Sequence, residues 1–591
     1  MKVRFPIEFP RRCKIFLQRH TFLFCRYEVP VTQFCRILTK IIIYQSKFKA
    51  MKFLNKLAAI ALAMGMVACS SDEPAVDNGG NKPSDNGFYS KITLKLPATG
   101  RSMEKEGEEV GQDYENKVGA ILVVLATKGE TDTEYKYLTY AKTDAPANSS
   151  NTYTIVFQDK EKLFSQAGKT VYAFAYCNPT SSLVSKITAL SEGDSFENLL
   201  CDSSSEVEST WLSNGFLMTS VQVLEKELAD EATLKTYNTP ANAYPLGKIE
   251  VIRTASRFDF RDASEGDLTY NVRNEDAEVA EGTEKPAVAK IKMLNVAMVN
   301  ERGQFFYLPR NTTNGLCPTF NGMESGLILT PSTATFTQQL LKADGAYAPL
   351  AHGNDAYKAL SWTSLSSIVN GTEDNDNTWN DGDKFEKGYH IWRYTSENTP
   401  YASAADAAKI PTPDNTTGFV FEAEIIPDAT AIPEGITFTS GTDIMYVYAN
   451  KLYVNKEHIY NVIKEAPHSG LADAFNACFD VTEAEGNVTV TKKADADLKA
   501  NGLTEFAPDA TDKKYYTYYF GYNRHNDNED ITETGEMEFA TVRNNVYKLA
   551  VTKVMSFGGF TPGQNIEDWD VYFNLEVLVR NWVVRVNNIE F

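Results

Sequence analysis

Two residues of this 591-residue chain stand where covalent chemistry on the polypeptide itself is expected. Cys69 follows an apolar run of twelve, residues 57–68 (LAAIALAMGMVA), which is preceded by Lys52 and Lys56. Such a run is too short to span a bilayer but suits the core of a signal peptide. A thiol directly after its small residues is placed to be acylated and to become a new N-terminus. Arg101 is the only arginine between Cys69 and Arg253, and it lies in the Gly-containing segment Pro97-Ala98-Thr99-Gly100-Arg101-Ser102. A trypsin-like protease can enter a loop of that kind and cut between Arg101 and Ser102. The bland alternative is an ordinary surface arginine.

Other chemistry is thinly represented. No HExxH, GxSxG, P-loop or GxGxxG segment with suitable flanks is present. His352, His390, His458, His468 and His525 are scattered, without an i, i+4 pair. Asp374, Asp376, Asp381 and Asp383 cluster in EDNDNTWNDGD, whose register does not fit an EF-hand, so a solvated acidic loop is the better reading. The expectation is a non-enzyme with no metal and no cofactor.

The charge pattern divides the chain. Residues 1–50 carry eleven Lys/Arg and two acids and do not resemble the rest; translation is expected to start at Met51, leaving 1–50 as a mis-called upstream extension. Residues 51–68 then form a lipoprotein signal peptide, with Met66-Val67-Ala68-Cys69 as its lipobox. Without the thirteen basic and two acidic residues of 1–68, 45 basic and 76 acidic residues remain, a formal charge of −31. This argues against nucleic acid as a partner. Ser70-Ser71-Asp72-Glu73 looks like the acidic export signal of Bacteroidetes surface lipoproteins, and residues 74–87 read as a flexible tether. Cys177, Cys201, Cys317 and Cys478 have long, irregular spacings; export permits disulfides, but spacing does not pair them.

The elements that must position these residues are strands. Aromatics reach 12% of the chain, and β-branched and aromatic runs alternate with Gly/Asn/Asp clusters. Strands are expected at 92–96, 118–126, 152–157, 170–177, 248–260, 290–299, 419–426, 443–454, 514–522, 545–554, 571–579 and 582–591. Short helical patches are expected at 159–166, 220–234, 403–408 and 471–478. The fold class is all-β: two sandwiches in tandem, with a junction at Pro245-Leu246-Gly247.

The two ends share a pattern. Ile92, Leu94 and Leu96 put one apolar face on the first strand; Val571, Phe573, Leu575, Val577 and Val579 do the same near the C-terminus, followed by Trp582. A strand with one apolar face must cover a core. The last one can close its own domain or be presented to a neighbour, where ladder bonds give affinity and alternate side chains give register.

Six segments in order resemble the Bacteroidales type V pilins (fimbrillins), and most closely the minor-fimbrium shaft subunits. They are the lipobox at Cys69, YSKITLKLPATGR (89–101), KTVYAFAYCN (169–178), IEVIRTASR (249–257), VRNNVYKL (542–549) and LEVLVRNWVVRVNNIEF (575–591). The resemblance covers nearly all of residues 51–591. It implies two transthyretin-like β-sandwiches, at 102–246 and 247–568, with donor strands at 569–591. It further implies a lipidated propeptide, 69–101, anchored in the outer membrane and removed by an arginine-specific or trypsin-like protease. The strand carrying Ile92, Leu94 and Leu96 would leave with the lipid. The strands carrying Val571, Phe573, Leu575, Val577, Val579 and Trp582 of another copy would fill the groove. Joining head-to-tail builds an open filament, a surface fimbrium for adhesion to host or bacterial ligands, with accessory fimbrial subunits as further partners. Five apolar positions replacing three would add ~3–6 kcal/mol. The chain lacks the long Pro-rich spacer before its final strands, having only residues 558–570. The alternatives are an accessory tip or anchor subunit and a monomeric glycan-binding surface lipoprotein, with Trp379 and Trp392 as candidate sugar contacts.

Overall fold

The computed structural model describes residues 87–96, 108–129, 134–144, 151–202, 215–274, 277–310, 336–370, 388–401, 410–484, 487–530, 532–563, 566 and 573–583. All of them fall in one compact unit, Gly79–Phe591. Cys69, Arg101, Ser102, Val571, Trp379, the acidic cluster 374–383 and the helical patch 403–408 lie outside the described residues.

The protein is mostly β. In chain order the strands used below are β1 (Phe88–Lys95), β2 (Glu108–Val110), β3 (Ala120–Thr127), β4 (Lys136–Asp144), β5 (Thr152–Phe157), β6 (Thr170–Cys177), β7 (Met218–Ser220), β8 (Leu224–Glu227) and β9 (Tyr244–Arg253). They continue as β10 (Ala255–Asp262), β11 (Thr269–Arg273), β12 (Ala287–Val299), β13 (His390–Ser396), β14 (Gly418–Pro427), β15 (Tyr516–Tyr522), β16 (Asn545–Val554) and β17 (Phe573–Val583).

The first sheet runs β4-β3-β6-β7-β9-β1-β5, with β8 beside β6. It folds around a core built from Ile121, Val123, Leu125, Ile155, Phe157, Val171, Ala173, Cys177, Ile249 and Val251. β3 (AILVVLAT) is apolar at consecutive positions because both of its faces are buried: Leu122, Val124 and Ala126 point into a second core with Phe174, Tyr176 and Leu183. The second half of the chain encloses its own core between the sheets β2-β17-β16-β10-β13 and β11-β12-β14-β15. An excursion between β14 and β15 carries helices Lys456–Glu465 and Gly470–Cys478. Asn455 and Ser469 cap them by accepting from the amides of His458 and Ala472.

Three expectations are corrected. The junction expected at 245–247 falls inside β9, which runs on to Arg253, and the chain passes between the two sheet systems at Thr254. Residues 108–116, expected in the N-terminal sandwich, add β2 to the sheet of the second half. The helix expected over 220–234 is instead the end of β7, then β8, then a single turn, Glu231–Leu234, because the backbones of β6 and β9 offer edges on which β7 and β8 pair.

Candidate functional site: the β1 slot and the ends that flank it

β1 is an inner strand. It lies parallel to β9, from Ser90↔Tyr244 to Lys95↔Glu250, and antiparallel to β5, from Phe88↔Phe157 to Thr93↔Thr152. Its alternation of buried and exposed positions follows its sequence: Ile92 and Leu94 are buried while Lys91 and Lys95 are exposed. Ile92, Leu94, Leu96 and Phe88 all enter the first core. Phe88 packs among the rings of Phe164, Tyr237 and Tyr244, with centroids 6.4, 6.4 and 5.8 Å away. The register shifts between Lys91 and Ile92, where Lys91 faces Pro245 and Ile92 faces Gly247. Gly247 has φ +142°, and a Cβ there would stand 3.0 Å from Cδ2 of Leu224, so the bulge requires glycine.

Polar ties to the slot are few. Ser90 Oγ donates to the Tyr244 carbonyl at 2.9 Å, Thr93 and Thr152 share a hydroxyl bond at 2.9 Å, and Lys95 reaches Glu250 at 2.6 Å in solvent. An exposed pair of this kind contributes little. Ladder bonds and apolar burial therefore hold β1, and its removal would uncover the facing edges of β9 and β5 together with the core beneath. Cys177 lies in that core, where burial pushes its thiol up to about 12.

Downstream of β1, residues 97–107 lead to β2, and there the chain is fastened by charge. Arg257 on β10 grips Asp259 with Nε–Oδ1 at 2.9 Å and Nη2–Oδ2 at 2.8 Å. The same guanidinium donates to Glu109 of β2 at 3.1 Å and to Glu115 at 3.2 Å. Lys548 on β16 reaches the other oxygen of Glu109 at 2.7 Å, and the Tyr394 hydroxyl donates to Glu115 at 2.6 Å. Arg253, at the end of β9, donates to the Glu115 carbonyl at 3.1 Å and also bonds the Asn116 side chain. The side chains of Arg257, Glu115 and Asp259 are fully buried. Burial alone would lower the Arg257 guanidinium, but the carboxylates of Asp259, Glu115 and Glu109 outweigh it and hold it well above its ordinary value.

β2 also holds the far end of the chain. It lies parallel to the end of β17, pairing Glu108↔Asn581, Glu109↔Trp582 and Val110↔Val583. β17 is in turn antiparallel to β16, from Val554↔Phe573 to Asn545↔Asn581. Phe573 and Leu575 are buried in the core of their own half, and Val577 and Val579 pack partly against it. In the single chain, then, this stretch closes its own domain, the alternative that sequence periodicity had left open. The apolar count also changes. Phe88 joins Ile92, Leu94 and Leu96 in the first core, four positions rather than three, while Tyr89 is buried in a separate cluster with Val156 and Ala243. The expected surplus for an incoming strand of five shrinks from two side chains to one. Trp392, a candidate sugar contact, is half-buried with its ring 6.0 Å from that of Phe419.

Residues 513–588 match the family model described as the C-terminal domain of fimbrillin, the type IV major fimbrial subunit protein. Over this stretch the chain resembles the fimbrillins. The matched segment takes in β15, β16 and β17, so it supplies strands to both sheets of the second half, along with Lys548 of the charge cluster. Among solved structures, a cell adhesion candidate from Parabacteroides distasonis shares 14% identity over 85% of this chain and 98% of its own, with a TM-score of 0.37. A fimbrilin (FimA) from Porphyromonas gingivalis shares 12% over 84% and 98%, with a TM-score of 0.35. The tip fimbrial protein Mfa3 of the same organism shares 8% over 84% and 100%, with a TM-score of 0.29. At these values the likeness is remote. No curated protein sequence matches the chain.

Sequence reasoning missed the charge cluster, although a signal was present. Arg253 and Arg257 belong to IEVIRTASR, and Lys548 to VRNNVYKL, two of the segments that carried the resemblance.

Proposed function

We propose that this chain is a fimbrial shaft subunit, exported as a lipoprotein acylated at Cys69 and activated by cleavage between Arg101 and Ser102. The observation that carries this reading is the setting of β1. It is an inner strand followed by residues 97–107, which contain the sole arginine between Cys69 and Arg253, and few polar side-chain ties hold it. Cutting after Arg101 turns β1 from a covalent part of the sheet into a bound peptide. Its loss, together with the lipid, leaves two unpaired edges and an apolar groove, which a strand from another subunit satisfies.

The incoming strand is best drawn from Trp582 to the C-terminus. Donating Phe573 and Leu575 would strip the second core of two buried side chains, at ~1.5–3 kcal/mol each. We therefore narrow the donor from the whole of 569–591 to 582–591, with Phe573–Val579 staying at home. The home packing of Phe573 and Leu575 equally favours a second reading, an accessory tip subunit that accepts a strand and donates none.

Replacing Arg101 with Ala tests the proposal. Surface material from R101A cells is expected to contain only the uncut, lipidated form with no SDS-resistant ladder, while R101K, with a lysine-specific protease supplied, restores both. Ladders of normal length from R101A would overturn the cleavage step. Immunogold labelling confined to filament ends would favour the tip subunit over the shaft.

A further inference from the structure

We infer that residues 108–116 are a clamp that stays behind after cleavage and fixes the base of the C-terminal strand, so that β1 departs without loosening β17. This deepens the proposed function and rests on it only for the word cleavage; the clamp itself is a property of the folded chain.

Among the described residues β2 is the last hold on the C-terminal strand. The ladder with β16 ends at Asn545↔Asn581. The ladder with β2 begins at that same residue and carries the chain two residues further, to Val583. β2 spans only three residues, too short to hold its place by ladder bonds alone. Its position comes from buried charge. Glu109 is fixed between Arg257 at 3.1 Å and Lys548 at 2.7 Å. Six residues on, Glu115 is fixed by Arg257 at 3.2 Å and by Tyr394 at 2.6 Å. Arg257 faces Glu109, Glu115 and Asp259, and Lys548 faces Glu109. Withdrawing 108–116 would take two of three paired carboxylates from Arg257 and the Glu109 carboxylate from Lys548, a loss of pairing at buried charges that the fold resists. By contrast β1, a few residues upstream, is held by ladder bonds and apolar burial. A cut after Arg101 thus falls between a strand that can be exchanged and a segment that cannot.

The consequence concerns the joint of a filament. In the filament Trp582 and Val583 stay on β2, and residues 584–591 are the part of the donor segment 582–591 that reaches the neighbour. Glu109 is a positioning residue: it acts on the donor end, not on the β1 groove.

Hydrogen exchange on the purified lipidated precursor in detergent tests this, before and after trypsin. Cleavage is expected to release the amides of 88–96 while those of 108–110 and 581–583 keep their protection. Glu109→Gln is expected to speed exchange at 581–583 about tenfold or more while leaving 88–96 unchanged. If Glu109→Gln fails to fold, Val110→Pro removes one rung of the β2 ladder without touching the buried charges and is expected to give the same local effect. Unchanged exchange at 581–583 in the folded variant would overturn the clamp, as would loss of protection at 108–110 on cleavage with 581–583 still protected. If trypsin fails to cut after Arg101, or cuts without ladders forming, the strand-exchange reading fails. The comparison of wild type with Glu109→Gln in the uncut chain then still decides the clamp.

Discussion

Ile92→Ala separates the precursor from the filament. Ile92 is fully buried in the first core, and its neighbour across the β9 ladder is Gly247, which has no side chain to move into the space. Removing three carbons forfeits about 2.4 kcal/mol of transfer free energy at ~0.8 per methylene, and incomplete collapse of the cavity brings the loss to about 3–4 kcal/mol. For a unit of this size each kcal/mol moves the melting temperature by about 2–4 °C, so the first-domain transition should fall by about 6–16 °C. That holds for the uncut precursor. The proposed strand replacement removes β1 from assembled fimbriae, so there the same substitution should leave the melting temperature unchanged. Ile121→Ala is the control. Ile121 is equally buried in the same core but lies on β3, which is retained, so it should destabilise both forms. Calorimetry on precursor and on sheared fimbriae reads the difference. If Ile92→Ala lowers the fimbrial transition as far as it lowers that of the precursor, β1 remains in the filament and strand replacement is refuted.

Further outcomes follow from the same geometry. The Cys177 thiol, pushed up to about 12 by burial, should resist iodoacetamide at pH 8 in the precursor, label after β1 is released, and become protected again in the filament; peptide mapping by mass spectrometry reads each stage, and constant labelling would count against an opened groove. Replacing Arg257 with Met leaves Glu109, Glu115 and Asp259 without their shared cation and should cost about 3–5 kcal/mol in urea unfolding, whereas an effect below about 1 kcal/mol would mean the cluster is not a tie. Burial lowers the pKa of His458 at the start of helix Lys456–Glu465, so the folded state disfavours its proton. The stability this gives is complete above an unfolded value of about 6.5 and declines as pH falls through the interval down to the depressed folded value. Protection of that helix, taken relative to the intrinsic exchange rate at each pH, should fall below about pH 6.5 in wild type and not in His458→Gln.

How far the fold was legible depended on how local its causes are. The first strand and β6 could be read because alternation and apolar runs are properties of consecutive residues. Ile92, Leu94 and Leu96 face the core as their spacing requires, and Cys177 is buried as its surroundings suggested. The stretch 220–234 was misread as helix because β7 and β8 owe their shape to the edges of β6 and β9, partners far off in sequence. β2 has no signal in its own residues: Glu-Glu-Val looks solvated until Arg257, 148 residues from Glu109, is brought against it. The last strand shows the limit most clearly. Its alternation was plain, but the same alternation serves its own core or a neighbour's, and only the placement of Phe573 and Leu575 shows which core they fill in the single chain.

The most direct measurement is the intact mass and N-terminal sequence of protein sheared from the cell surface, run beside an unboiled gel. Proteolytic strand exchange predicts a chain beginning at Ser102 and an SDS-resistant ladder that collapses on boiling. A lipidated chain beginning at Cys69 and running as a single unboiled band would contradict it.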